Sequence, residues 1–214
     1  MKVHVSGATE RGAQPKLLML AGGVRSGSLN EKLIGYASRV AGEMGISTTR
    51  LSLSDYPLPL VEADARSIDQ VSQALALKAV FQRHCAVIIA SPEHNGSVTA
   101  ILKNALDWIS CPSEGEMANA YTAFRRKAFG LLSASSSPFG GLRGLSQLRH
   151  ILTTMQALVV PEQLSLPHAH RAFDEVGALS DPLLRRILTD LVSSVIEVAR
   201  RQSELPAGKA DSRE

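Results

Sequence analysis

Three short, unbroken apolar runs constrain this chain more than any other feature: Leu17-Leu18-Met19-Leu20, Ala86-Val87-Ile88-Ile89-Ala90 and Ala128-Phe129-Gly130-Leu131-Leu132. A strand with one face in water alternates apolar and polar residues. A run of about five without alternation reads as a strand covered on both faces, as in a parallel sheet between two layers of helices. Two weaker runs, Ser47 to Leu53 and Ala157 to Val160 closed by Pro161, supply two further strands.

Helical patterns fill the intervals. Leu29, Leu33, Ala37, Val40, Ala41 and Met44 share one face, and Gly45 is placed to stop that helix. Val98, Ile101, Leu102, Ala105, Leu106 and Ile109 form a second stripe, with Ser97 expected as its cap. Leu142, Leu145, Leu148, Ile151 and Leu152 make a third. Gln70 to Gln82 and Leu183 to Val198 are two more, the last following the turn Ser180-Asp181-Pro182. Strand and helix thus alternate five times, with no internal repeat, which predicts an open, doubly wound α/β sheet. The 214 residues suit one such domain, expected over 16–201, with loose tails at 1–15 and 202–214.

In these sheets ligands sit beyond the carboxyl ends of the strands, so the loops after the three strong strands are where chemistry is expected. The first, Gly22 to Asn30, has the glycine frame of a phosphate-binding loop but lacks the lysine that a triphosphate site needs. Its backbone N–H groups and the following helix N-terminus favour an anion. Arg25, Ser28 and Asn30 add a charge and polar groups that suit a terminal monophosphate. The second loop, Ser91 to Ser97 (SPEHNGS), pairs a rigid Pro92 with the turn signal Asn95-Gly96. Such a loop can offer several backbone groups to the edge of a planar ring. The third, Ser133 to Gly141 (SASSSPFGG), is built of small residues that let a flat ligand approach the main chain.

These loops carry a family resemblance. Gly22 to Asn30 reads G-G-V-R-S-G-S-L-N, against the G-S-x-R-x-x-S-x-N of the NAD(P)H-dependent FMN reductase family of flavodoxin-like proteins. The P-E-H-N-G-S from Pro92, the L-K-N-A-L-D-W from Leu102, and Gly140-Gly141 ahead of Gln147-Leu148-Arg149 also resemble that family. The resemblance runs from about Lys16 to Arg201. It implies a five-stranded parallel sheet of order 2-1-3-4-5 with helices on both faces. FMN is implied as cofactor, and NADPH or NADH as electron donor. By resemblance Gly23, Arg25, Ser28 and Asn30 surround the flavin phosphate, Pro92, Glu93, His94, Asn95 and Gly96 line the isoalloxazine, and Ser133, Ser135 and Ser136 flank ring and ribityl chain. Two positions depart from the motif: Gly23 replaces a serine and His94 replaces a tyrosine.

The implied activity is hydride transfer from nicotinamide to flavin N5 and onward to a quinone, free flavin, azo dye, chromate or ferric chelate, in ping-pong order. The flavin carries the chemistry, so no catalytic side chain is expected. A homodimer or homotetramer is implied, with Trp108 placed either at that interface or in the core. Two other readings stand beside this one: a flavodoxin-like electron carrier, although such carriers are usually acidic and this chain has net charge +3, and a binding protein that has lost flavin.

Other features narrow the field. Low aromatic content (4%) and the absence of a basic stripe argue against nucleic acid. No stretch reaches the roughly 18 apolar residues of a membrane span, and no secretory signal is evident. Cys85 and Cys111 read as reduced thiols of a cytoplasmic protein. His168 and His170 have H-x-H spacing but no further ligand nearby, so no metal is expected. Arg125-Arg126-Lys127 is either a solvated edge or a partner for the NADPH 2′-phosphate.

Overall fold

The computed structural model describes residues 15–61 and 71–204. Almost all of the tail expected over 1–15, the one at 202–214 beyond Glu204, and Gln70 lie outside the described residues. The elements are β1 (Leu17–Ala21), α1 (Leu29–Glu43), β2 (Thr48–Ser52), α2 (Ser72–Arg83), β3 (Ala86–Ala90), α3 (Ala100–Ser110), β4 (Ala128–Ala134), α4 (Leu142–Thr154), β5 (Leu158–Leu166) and α5 (Pro182–Glu204). All four strand pairings are parallel and the sheet order is β2-β1-β3-β4-β5, as the resemblance implied.

Alternate side chains of the apolar runs enter opposite layers. Leu17, Met19, Ala86 and Ile88 pack with Leu33 and Ala37 of α1 and Leu191, Val192 and Val195 of α5. Leu18, Leu20, Val87 and Ile89 pack instead with Leu77 and Phe81 of α2, Leu102 and Leu106 of α3, and Leu145 and Leu148 of α4. Each large apolar side chain so buried contributes roughly 1.5–3 kcal/mol relative to exposure. Gly130 lets α5 seat directly on β4, since a Cβ there would lie 2.8 Å from both Leu191 and Val195.

Three boundaries differ from the expectations. Pro161 does not close β5, which continues to Leu166. β5 lies at the sheet edge, and its pairing with β4 jumps from Phe129↔Val159 to Leu131↔Gln163, so Pro161 falls in an irregular stretch where its missing N–H costs no ladder bond. The cap of α3 is Thr99, whose Oγ1 accepts the Leu102 N–H at 3.2 Å, whereas Ser97 is held in a turn with His94. α5 extends past Val198 to Glu204 because its apolar face keeps contact with the core through Ala199.

The winding reverses between β1 and β3, and there the loops after β1, β3 and β4 meet.

Candidate functional site

The three loops enclose a cavity of about 510 Å³, within the range of small-molecule sites. The first loop is held by main chain and by its own helix. Gly22 N–H donates to the Ala90 carbonyl at 2.8 Å, and a Cβ on Gly22 would press on Ser91 and Leu102. Ser28 caps α1 by accepting the Glu31 N–H at 3.1 Å, and the Glu31 carboxylate accepts the Gly27 N–H at 2.7 Å. The first-turn N–H groups of Leu29 and Asn30 find no acceptor among the described residues and remain for an external one. The Arg25 side chain, exposed on the cavity wall, has no hydrogen-bond or ion-pair partner among the described residues. A cation, a helix N-terminus and free N–H groups together suit one phosphate.

Asn30 behaves differently from the expectation. It is 3% exposed, its Nδ2 donates to the Ala134 carbonyl at 2.9 Å, and its Oδ1 accepts the Ala134 N–H at 2.9 Å. The amide thus completes the backbone bonding of β4 and ties the first loop to the third; it borders the cavity without a free polar group to offer. Gly23 also borders it, and a Cβ there would sit 3.2 Å from Pro92 Cγ, so the position lost from the motif is also a close crossing of two loops.

From the second loop, Pro92 and His94 reach the cavity. Asn95 (φ 52°) and Gly96 (φ 80°) form the tip of a tight turn, with His94 and Ser97 exchanging N–H···O bonds of 2.9 and 3.0 Å. Positive φ at both central residues marks a type I′ turn, which explains the Asn-Gly pair without a ligand. Glu93 turns away from the cavity. Its carboxylate accepts the backbone N–H groups of Arg143 and Gly144 at 3.0 and 3.1 Å and the Arg143 Nε–H at 2.7 Å. Burial pushes the Glu93 carboxyl up, but the Arg143 side chain and the Gly144 N–H outweigh it and hold the group below its ordinary range.

The third loop brings Ser135 and Ser136 to the cavity wall, and Ser136 hydroxyl is unpartnered among the described residues. Ser133, expected beside them, is fully buried as part of β4, and its Oγ has no hydrogen-bond partner among the described residues. Ser133 is the last residue but one of β4, a strand buried along its whole length because both of its faces are covered. Ser133 instead packs against Gly141, where a Cβ would lie 1.9 Å from its Oγ.

Sequence reading missed Val24, Leu29, Thr99, Ile101 and Ala134 in the wall. Thr99 had a legible signal, a β-branched hydroxyl directly before the helical stripe, and it also donates to the Gly22 carbonyl, joining α3 to the first loop. Val24 and Ile101 are 48% and 37% exposed, apolar at the mouth where a polar surface is the default.

The remaining candidates lie elsewhere. Trp108 is buried within the chain, packed on Ala74, and its Nε1–H donates to the Pro59 carbonyl at 2.7 Å. Cys111 follows the far end of α3, about 16 Å of helix away from Thr99. Burial and the Asp107 carboxylate push its thiol up. Arg125, Arg126 and Lys127 precede β4 and therefore sit at the opposite end of the sheet from the cavity. Lys127 folds back to donate to the Phe81 carbonyl. His168 and His170 are exposed, with ring centroids 6.4 Å apart, and no cluster of His, Cys, Asp or Glu among the described residues could hold a metal ion. No helix among them is long and apolar enough to cross a membrane.

The chain is similar to known proteins over this whole region. A rice protein (Oryza sativa subsp. japonica), probable NADPH:quinone oxidoreductase 2, is 30% identical over 207 residues, covering 92% of this chain and 97% of its own. An NAD(P)H-dependent FMN reductase of Pseudomonas aeruginosa is 29% identical over 188 residues, covering 87% and 96%. Among solved structures, the flavoenzyme FerB of Paracoccus denitrificans, an NAD(P)H:(acceptor) oxidoreductase, shares the fold with a TM-score of 0.71 at 22% identity, over 87% of this chain and 98% of its own. Residues 15–171 match the family described as NADPH-dependent FMN reductase, a span that takes in all three cavity loops. The chain belongs to that family of flavin-dependent oxidoreductases, with FMN and a reduced nicotinamide nucleotide as its cofactors.

Proposed function

We propose that the cavity holds FMN with its phosphate at Arg25, Ser28 and the first-turn N–H groups of α1, and that the enzyme passes reducing equivalents from NADPH or NADH to quinone acceptors. The observation that carries this reading is one cavity lined both by Arg25 and the α1 N-terminus, whose side-chain cation and first-turn N–H groups find no partner among the described residues, and by Pro92, His94, Ser135 and Ser136. When bound, FMN supplies hydride acceptance from nicotinamide and delivery to the acceptor. The chain's own residues do the rest. Arg25 and α1 neutralise the phosphate, Asn30 and Thr99 hold the loops at fixed spacing, and Val24 and Ile101 give the mouth an apolar rim that excludes water from one side. His94 stands where it faces the cavity and is exposed, so it meets incoming donor and acceptor. One mouth serves both, which supports ping-pong order. Exposed Phe139 and Leu142 near the same end support assembly as a homodimer or homotetramer, and two unpaired thiols support a cytoplasmic setting.

Titrating the flavin-free protein with FMN and with riboflavin, read by flavin fluorescence, tests the site. FMN is expected to bind tighter than riboflavin, and Arg25→Ala to weaken FMN about 10-fold while leaving riboflavin unchanged. Equal affinity for the two flavins, or no effect of Arg25→Ala, would overturn the phosphate assignment. Parallel double-reciprocal lines with a quinone are expected; intersecting lines would remove the ping-pong order.

A further inference from the structure

We infer that Glu93 is a positioning residue: it caps α4 from another loop and so sets the spacing between the two walls of the cavity. The inference rests on the reading of that cavity as the flavin site. α4 starts after Gly141, which has φ +87° and no side chain to offer its first-turn N–H groups. A helix beginning there needs an acceptor from outside. Glu93, fifty residues earlier, provides it, with one carboxylate oxygen on the Arg143 and Gly144 N–H groups and the other on the Arg143 guanidinium. The Glu93 side chain is 8% exposed, and Arg143 is fixed in turn by stacking 4.9 Å over the Phe139 ring. The packing is shaped to admit it: a Cβ on Gly144 would lie 3.2 Å from Glu93 Cβ and from the Ser97 carbonyl oxygen.

The consequence follows from chain connectivity. Pro92 and His94 flank Glu93 and line one wall, while Ser135 and Ser136 stand on the loop that leads into α4 and line the other. A carboxylate anchored to the start of α4 therefore holds both walls in register before any ligand arrives. The same contact explains why a glutamate sits in a loop that offers the ring only backbone groups and His94.

Two variants test this, Glu93→Gln, which keeps the shape and removes the charge, and Gly144→Ala, which crowds Glu93 from the helix side. In Glu93→Gln, amide hydrogen exchange at Arg143 and Gly144 is expected to accelerate at least about 10-fold in the flavin-free protein, and FMN affinity to fall about 10- to 100-fold with weaker visible circular dichroism of the bound flavin. Gly144→Ala raises the intrinsic helix preference of α4, yet it is expected to weaken FMN several-fold through the displaced loop. A cap that merely stabilised the helix would leave FMN affinity untouched in Gly144→Ala, and that result overturns the inference. Unchanged exchange at Arg143 and Gly144 in Glu93→Gln overturns it too, as does weakened FMN with both amides still protected, which would place the carboxylate on the flavin itself. If the parent protein fails to bind FMN, the proposed function falls, while the exchange comparison still decides whether the clamp exists.

Discussion

Replacing Asn30 with alanine deletes both hydrogen bonds to Ala134 and leaves a buried N–H and a buried carbonyl without partners. Each deserted group costs about 1–3 kcal/mol when dry. Both lie beside the cavity, so water reaching them reduces the combined loss to about 2–3 kcal/mol. For a chain of this size that is a fall in Tm of about 4–12 °C. Urea and thermal unfolding of the flavin-free protein, followed by far-ultraviolet circular dichroism, measure it. Asn30→Asp sharpens the test. Its carboxylate can accept the Ala134 N–H but faces the Ala134 carbonyl, so ionisation is disfavoured in the folded state and the folded pKa is raised above the unfolded one. The variant is therefore closest to the parent below the unfolded carboxyl pKa and loses stability as pH rises through the folded pKa. An Asn30→Ala protein with an unchanged urea midpoint but collapsed FMN affinity would refute the reasoning, because the amide would then serve the phosphate and not Ala134.

Two further outcomes are expected. Gly141→Ala combines φ +87° with a 1.9 Å approach to Ser133 Oγ and should cost about 3 kcal/mol or more; adding Ser133→Ala should recover only part of this, since the Ser133 Cβ also lies 2.9 Å away. Lys127, whose amine is lowered to about 8 by burial, binds its proton less readily when folded than when unfolded. The cost of burying its charge is present below pH 8 and is relieved as pH rises toward the unfolded value, by at most about 3 kcal/mol. Urea midpoints should thus rise between pH 7.5 and 9 in the parent and stay flatter in Lys127→Met; a parent that loses stability over that interval would contradict it.

The parts of the fold that the sequence made legible are those where one physical requirement dominates. β1, β3 and β4 are covered on both faces, and that alone removes the polar residues from their runs. β5 runs past the boundary that Pro161 suggests: proline stops a central strand, and the sequence does not show that β5 is an edge strand among the described residues. At the site, residue types located the loops but not the direction of each side chain. Asn30, Glu93 and Ser133 are polar residues in the expected loops, yet tertiary partners turn the first toward Ala134 and the second toward α4, while the third belongs to β4 and is buried with the rest of that strand. The Arg25 side chain has no partner among the described residues, and it lines the cavity as the motif implied.

The two ends of the sheet carry a consequence for assembly. At one margin β2 is five residues long with exposed Arg50 at its centre; at the other β5 is broken by Pro161 and its shifted pairing. A charged, short margin and an interrupted one are poor templates for a further strand. A second molecule that tried to extend this sheet would meet a guanidinium on one side and a gap in the donor row on the other. Contacts between copies of this chain are therefore expected through helices and loops, and the five strands of the described residues are not expected to be extended across subunits.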